Sequence, residues 1–241
     1  MDLEIYSNIQ KQIGLENDSI INKNIEWFNG EAENRDQIVF DYFGKETFDS
    51  LVSIISEKIT NDFSKSNITI LDTGIGAGTF SLPIIEKLET SKIEKINYYG
   101  LDLSLKMLQV LNNKTNKITP LIGRLENILT SLKYHKTFLV NLPIKFDLVL
   151  ATLVFHHIPD IEQTFRSIKE VLNPNGKLII LDMLEHSPDL EEPEAHPGFD
   201  LNKLTNMARK FFKNIKLQPL KDISCKSLRY SANLFLGELY N

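Results

Sequence analysis

Apolar positions along the chain follow two periods, and the switches between them outline the fold. Between residues 46 and 61, Phe48, Leu51, Val52, Ile55 and Ile59 recur every three or four residues, the stripe of an amphipathic helix. Runs of strand length then alternate with helical stretches. Ile68–Asp72, Ile96–Asp102, Thr119–Ile122, Phe146–Thr152 and Lys177–Asp182 read as strands. Phe146–Thr152 is almost wholly apolar, as a strand covered on both faces must be. A helix is expected from about 79 to 88, with Pro83 near its first turn, where a missing N–H costs least. Ser104 is placed to cap the next helix, whose Leu105, Leu108 and Leu111 face inward. Asp160 starts another, bearing Ile161, Phe165, Ile168 and Leu172, and Asn173-Pro174-Asn175-Gly176 makes a turn. Asp200 caps a last helix to about 212, and two more strands are expected near Ile215–Pro219 and Leu228–Leu236.

Strands separated by helices specify an α/β fold: a doubly wound, mostly parallel seven-stranded sheet, Rossmann-like, with helices on both faces. The first 45 residues are polar with scattered aromatics, which predicts short helices packed on a neighbour. Residues 1–60 are therefore read as an N-terminal helical cap within the same domain, and 61–241 as the ligand-binding domain. In such sheets the ligand lies beyond the carboxyl ends of the strands, at the switch point.

Bulk properties narrow the function. A formal charge of −5 offers no surplus of lysine and arginine for phosphates, so nucleic acid is an unlikely partner. Cys225 is the only cysteine, which excludes an intramolecular disulfide and thiolate clusters. No histidine or carboxylate spacing matches a metal site, so no metal is expected. The chain opens without a basic and apolar leader and contains no membrane-length apolar run, which predicts a cytoplasmic protein away from membranes. Oligomeric state is not legible; a homodimer is compatible with the sequence.

The chemistry concentrates in Ile70-Leu71-Asp72-Thr73-Gly74-Ile75-Gly76-Ala77-Gly78-Thr79, three glycines between a strand and a helix. Glycine lets a ligand approach the backbone without meeting a Cβ. The dinucleotide fingerprint wants Gly-x-Gly-x-x-Gly/Ala; here its last position is Thr79 and the third glycine comes one residue early. Asp72 closes the strand beneath the loop, where a carboxylate repels a pyrophosphate but suits a ligand bearing an ammonium and a sulfonium. Asp102 closes the next strand, where an acid accepts hydrogen bonds from both hydroxyls of a ribose.

This segment resembles motif I of the class I S-adenosylmethionine-dependent methyltransferases, and the similarity runs over roughly residues 66–183. Gly100-Leu101-Asp102-Leu103-Ser104 resembles the family's ribose-binding strand end. Phe146–Leu150, running into Phe155-His156-His157-Ile158-Pro159-Asp160, resembles its fourth strand and following loop, and Leu172–Lys177 the turn before its fifth. The resemblance implies S-adenosylmethionine as cofactor. Asp72 and the backbone of Gly74, Gly76 and Gly78 would hold the methionine portion, with Thr152 at the end of the fourth strand. Asp102 would hold the ribose, and Leu103 and Met107 would flank the adenine. Where many relatives carry Gly-Asp-Ala after the third strand, this chain has Gly123-Arg124-Leu125-Glu126. Arg124 cannot accept from the adenine amino group, so Leu125, with help from Glu126, is expected there instead.

The expected reaction is methyl transfer to a nitrogen, oxygen, sulfur or carbon of a small molecule. His157 is the candidate general base, because imidazole titrates near working pH. Phe28, Tyr42, His156, Glu185 and His196 are the candidate acceptor-pocket residues, the last two from the long acidic segment 185–199. An RNA- or protein-modifying methyltransferase, or a catalytically silent cofactor-binding subunit, are the alternatives.

Overall fold

The computed structural model describes residues 2–14, 19–63, 67–186, 196–226 and 231–241. Four helices precede the sheet: α1 (Leu3–Gln12), α2 (Ser19–Glu31), α3 (Arg35–Phe43) and α4 (Lys45–Phe63). Strands and helices then alternate as β1 (Asn67–Thr73), α5 (Ser81–Glu89), β2 (Lys95–Asp102), α6 (Leu105–Lys114), β3 (Ile118–Ile122), α7 (Ile128–His135), β4 (Phe146–Thr152), α8 (Ile161–Val171) and β5 (Leu172–Met183). The chain closes with α9 (Leu201–Ala208), β6 (Asn214–Lys226) and β7 (Ser231–Tyr240).

The seven strands lie in the order β3-β2-β1-β4-β5-β7-β6. The first five are parallel, and β7 runs antiparallel between β5 and β6. The order reverses between β1 and β4, so the loops after these two strands diverge and leave a crevice. Alternate residues of each central strand serve opposite cores. Ile68, Ile70, Leu148 and Leu150 pack under the face carrying α4, α5 and α6, while Leu71, Val149 and Ala151 pack under α7, α8 and α9. This two-sided burial accounts for the apolar run Leu148–Ala151 within β4.

The caps read from the sequence form. Ser104 accepts from the Met107 amide, Asp160 from that of Gln163, and Asp200 from those of Asn202 and Lys203. The turn at Asn173–Gly176 falls inside β5 as a register break: Phe146 pairs with Leu172, and the next pair is Leu148 with Lys177. Asp147 ties this break down, accepting from Asn173 Nδ2 at 2.7 Å and from the Thr69 amide at 2.9 Å. The last helix ends at Ala208, short of the expected 212, because Arg209–Phe211 continue as turns. Residues 228–230 of the final expected strand lie outside the described residues.

The N-terminal helices pack against the carboxyl edge of the sheet and the helices beside it. Tyr6 donates to the Pro120 carbonyl at 2.5 Å, docking α1 on β3. Asn29 Oδ1 accepts from Ser104 Oγ at 2.7 Å, and Asp36 accepts from Thr79 Oγ1 at 2.7 Å and from Lys114 at 2.6 Å.

Candidate active site

The loop after β1 is held by its neighbour strand: the amides of Gly74 and Ile75 both donate to the Leu101 carbonyl, at 2.7 and 3.2 Å. Gly74 has φ +69°, and a Cβ there would lie 2.2 Å from Val154 Cγ2, so only glycine lets the β1 and β4 loops approach this closely. Gly76 has φ +56° and is open on its Cβ side, with only Met107 Sδ, at 3.9 Å, within 4 Å. A ligand can therefore lie directly on this peptide.

Two buried carboxylates flank the loop. Asp72 is 2% exposed, and its Oδ2 accepts from Ser81 Oγ at 2.6 Å and from Tyr98 Oη at 2.7 Å. Burial pushes its pKa up to about 7, only partly offset by these two hydroxyls. Asp102 accepts from the Gly76 amide on Oδ2 and from the Ser104 amide on Oδ1, each at 2.8 Å. Burial raises its pKa too, against the pull of those amides and of the Arg35 charge. A carboxylate offers about four lone-pair positions, so Asp102 keeps capacity for a further donor.

These groups border a cavity of about 840 Å³ at the switch point, open to solvent on one side. Two buried polar atoms in its wall, Thr152 Oγ1 and Asn24 Oδ1, have no hydrogen-bond partner among the described residues. Leu153, which follows, has φ +53°, a strained conformation for leucine at the edge of the cavity. A smaller chamber of about 440 Å³ adjoins it, lined by Trp27, Phe28, Arg35, Val39, Tyr42, Leu153, His156, His157, Met183 and Cys225. Phe28, Arg35, Val39, Leu153 and His157 border both spaces.

Residues 71–178, the span that carries the loop, both flanking strand ends and most of the wall of the cavity, match a methyltransferase domain model. This segment is a methyltransferase domain. Over 157 residues the chain is 28% identical to polyketide synthase PksR of Bacillus subtilis, a match covering 62% of this chain and 6% of that protein. The fold resembles that of the CurJ carbon methyltransferase (TM-score 0.62, 14% identity, 83% of this chain and 57% of that one). It also resembles the magnesium protoporphyrin IX methyltransferase of Synechocystis PCC 6803, solved with bound S-adenosylhomocysteine (TM-score 0.61, 14% identity, 90% and 98%).

In this methyltransferase domain, Asp72, Gly74, Gly76, Asp102, Leu103, Met107, Leu125 and Thr152 all line the larger cavity, as do Phe28 and His157. S-adenosylmethionine fits this wall: a buried carboxylate for its ammonium, a second for its ribose, an open peptide at Gly76 and unpartnered polar atoms at both sides. Tyr42 and His156 line the smaller chamber only. The remaining expectations fall outside both. Gly78 faces α6, where a Cβ would lie 2.6 Å from Leu111 Cδ1, so it serves packing. The Glu126 carboxylate is paired with Arg124, at 2.9 and 3.2 Å, and lines neither space. Glu185 and His196 are fixed through their backbones, Glu185 donating to the Phe199 carbonyl and His196 to that of His156. Residues 187–195 between them lie outside the described residues.

Several contributors went unread in the sequence. Arg35 and Asn24 come from the polar N-terminal segment, where no periodicity marks them. Ser81 and Tyr98 are the hydroxyl donors to Asp72. Asp182 closes β5 fully buried and accepts from the Phe155 amide, the Met183 amide and His156 Nδ1, at 2.8, 2.7 and 2.8 Å. Its signal was available: an acid ending a buried strand, as at Asp72 and Asp102. Because a carboxylate only accepts, the Nδ1 of His156 is the donor in this pair.

Proposed function

We propose that this chain transfers a methyl group from S-adenosylmethionine to a small-molecule acceptor seated in the smaller chamber. The observation that carries the reading is the shared wall: Phe28, Leu153 and His157 line both spaces, so an acceptor against them lies beside the cofactor cavity. Bound S-adenosylmethionine supplies an electrophilic methyl on a sulfonium, for which alignment of the acceptor provides much of the acceleration. The residues divide the work. Asp72 holds the ammonium and Thr152 Oγ1 adds a polar contact from the end of β4. Asp102 holds the ribose, and Leu103, Met107 and Leu125 enclose the adenine. The aromatic walls of the chamber, Trp27, Phe28 and Tyr42, exclude water and orient an acceptor with an apolar body.

The polyketide synthase relative and the carbon methyltransferase neighbour support carbon, activated by an adjacent carbonyl, as the acceptor atom. A carbon acid must lose a proton as its new C–C bond forms, and we assign that proton to His157, which lines both spaces. Its ring meets the edge of Phe28 at 5.0 Å and contacts the His156 ring at 3.9 Å, while Asp182 fixes His156 in turn. Incubation with methyl-labelled S-adenosylmethionine and a short 3-oxoacyl thioester should add one labelled methyl to the thioester. Label appearing only in protein or RNA substrates, with the cofactor bound, would overturn the small-molecule reading.

A further inference from the structure

The adenine end of the cavity contains an acceptor that no expectation assigned. Three connections define this end. Leu125 follows β3, the outermost parallel strand, and lines the cavity together with Ile158. Gln163 Nε2, at the start of α8, donates to the Glu126 carbonyl at 3.0 Å, so the loop between β4 and α8 lies against the Leu125 turn. Asn24, on α2, joins the same corner through its Nδ2, which donates to the His157 carbonyl at 3.4 Å. Asn24 is 2% exposed and borders the cavity.

With Nδ2 on a carbonyl, the side-chain oxygen is the free end of the amide, and Oδ1 has no partner among the described residues. A buried amide oxygen left unsatisfied costs stability unless a ligand supplies a donor. Both kinds of acceptor on neighbouring Glu126 are already engaged: its carboxylate by Arg124, and its carbonyl by Gln163. Adenine presents one exocyclic donor, its 6-amino group. Resting on the S-adenosylmethionine reading, we propose that Asn24 Oδ1 accepts a hydrogen bond from this amino group, making a residue of the N-terminal cap the reader of the base.

The consequence is specificity, and it can be separated from general loss of affinity. The probe is a pair of ligands, S-adenosylhomocysteine and its analogue with purine in place of adenine, which lacks only the 6-amino group. Calorimetric titration of the wild-type protein should find S-adenosylhomocysteine bound about tenfold tighter, the scale of one hydrogen bond to a buried acceptor. In Asn24→Ala the ratio should fall to about one. Because the ratio is taken within a single variant, weaker folding or a looser cap does not mimic the result. A tenfold preference that persists in Asn24→Ala, or a wild type that binds both equally, overturns the assignment. A wild type that binds neither nucleoside removes the cofactor reading itself, and this assignment with it.

Discussion

Replacing Asp72 by asparagine should make the ligand-free protein more stable while weakening its hold on S-adenosylhomocysteine. Asp72 is buried at the end of β1, and desolvation raises its pKa from 3.8 to about 7, with a further push from Asp102 and only partial relief from Ser81 and Tyr98. At about 1.4 kcal/mol per tenfold change in proton affinity, the shift corresponds to roughly 4 kcal/mol. The sign follows from which state keeps its proton. Between about pH 4 and pH 7 the folded protein binds the proton that the unfolded chain has lost, so stability falls as pH rises through this window. Above pH 7 the whole cost is present. Asparagine retains an oxygen able to accept from both hydroxyls and has no charge to bury.

Its NH₂ group must find a partner in the cavity, which removes part of the gain. A net stabilisation of about 2 kcal/mol at pH 8 is expected, seen as a melting temperature raised by roughly 4–8 °C for a domain of this size. At pH 5 the two proteins should melt within a degree or two of each other. Thermal unfolding by circular dichroism at both pH values measures the difference, and calorimetry with S-adenosylhomocysteine measures the accompanying loss, at least about tenfold if a charged contact to the ammonium is removed. An Asp72→Asn protein that melts at or below the wild type at pH 8 would refute the account of Asp72 as a carboxylate kept for binding at the expense of stability.

The neighbouring glycines should separate fold from ligand. Gly74→Ala forces a Cβ to within 2.2 Å of Val154 at positive φ and should cost about 3 kcal/mol in urea unfolding, whereas Gly76→Ala should cost only about 1 kcal/mol yet weaken S-adenosylhomocysteine more than about tenfold. Equal destabilisation by both would contradict the geometry. Asp102→Ala should weaken S-adenosylhomocysteine by about tenfold or more, since it removes the ribose acceptor and releases the Gly76 and Ser104 amides; unchanged affinity in calorimetry would count against the ribose assignment. His157→Gln should leave cofactor binding intact and slow methylation of a carbon acceptor by about 10²–10⁴-fold, read in single-turnover assays. Undiminished turnover would mean that another group takes the proton.

The parts of this molecule that were legible in its sequence are those in which local chemistry and global fold coincide. The strand at Phe146–Thr152 is apolar because both of its faces are covered, and Ser104, Asp160 and Asp200 announce helix starts because only a side-chain oxygen can satisfy the first amides. The cradle was legible for the same reason: positive φ and close approach leave few alternatives to glycine. Gly78 shows the limit. Its spacing matches that of Gly74 and Gly76, but the turn of the chain points it at Leu111, and spacing alone does not distinguish a ligand's space from a leucine's. Glu126 shows another, since a carboxylate beside the adenine site is diverted by an arginine two residues earlier, an ion pair that depends on side-chain direction. Asn24 and Arg35 were illegible because they belong to helices whose docking is set by tertiary contacts such as Asn29 to Ser104 and Asp36 to Thr79.

Three acids closing parallel strands illustrate how far position determines role. Asp72, Asp102 and Asp182 all end strands, all are buried, and all lie at the carboxyl edge where ligands bind. Their partners differ in kind. Asp102 is met by backbone amides of the glycine loop and of the α6 cap, so it fixes the cradle and retains lone pairs for hydroxyls. Asp182 is met by two amides and an imidazole, so it is spent on orienting His156 and the loop that carries His157. Among the described residues Asp72 is met by two hydroxyls, which donate one proton each and bring no positive charge, and burial carries its pKa to about 7. A carboxylate with so little compensation in a buried wall leaves room for a counter-charge from a ligand. On the proposed reading the ammonium of the cofactor completes it, and the stability recovered by Asp72→Asn measures what the ligand-free fold forgoes to keep that place ready.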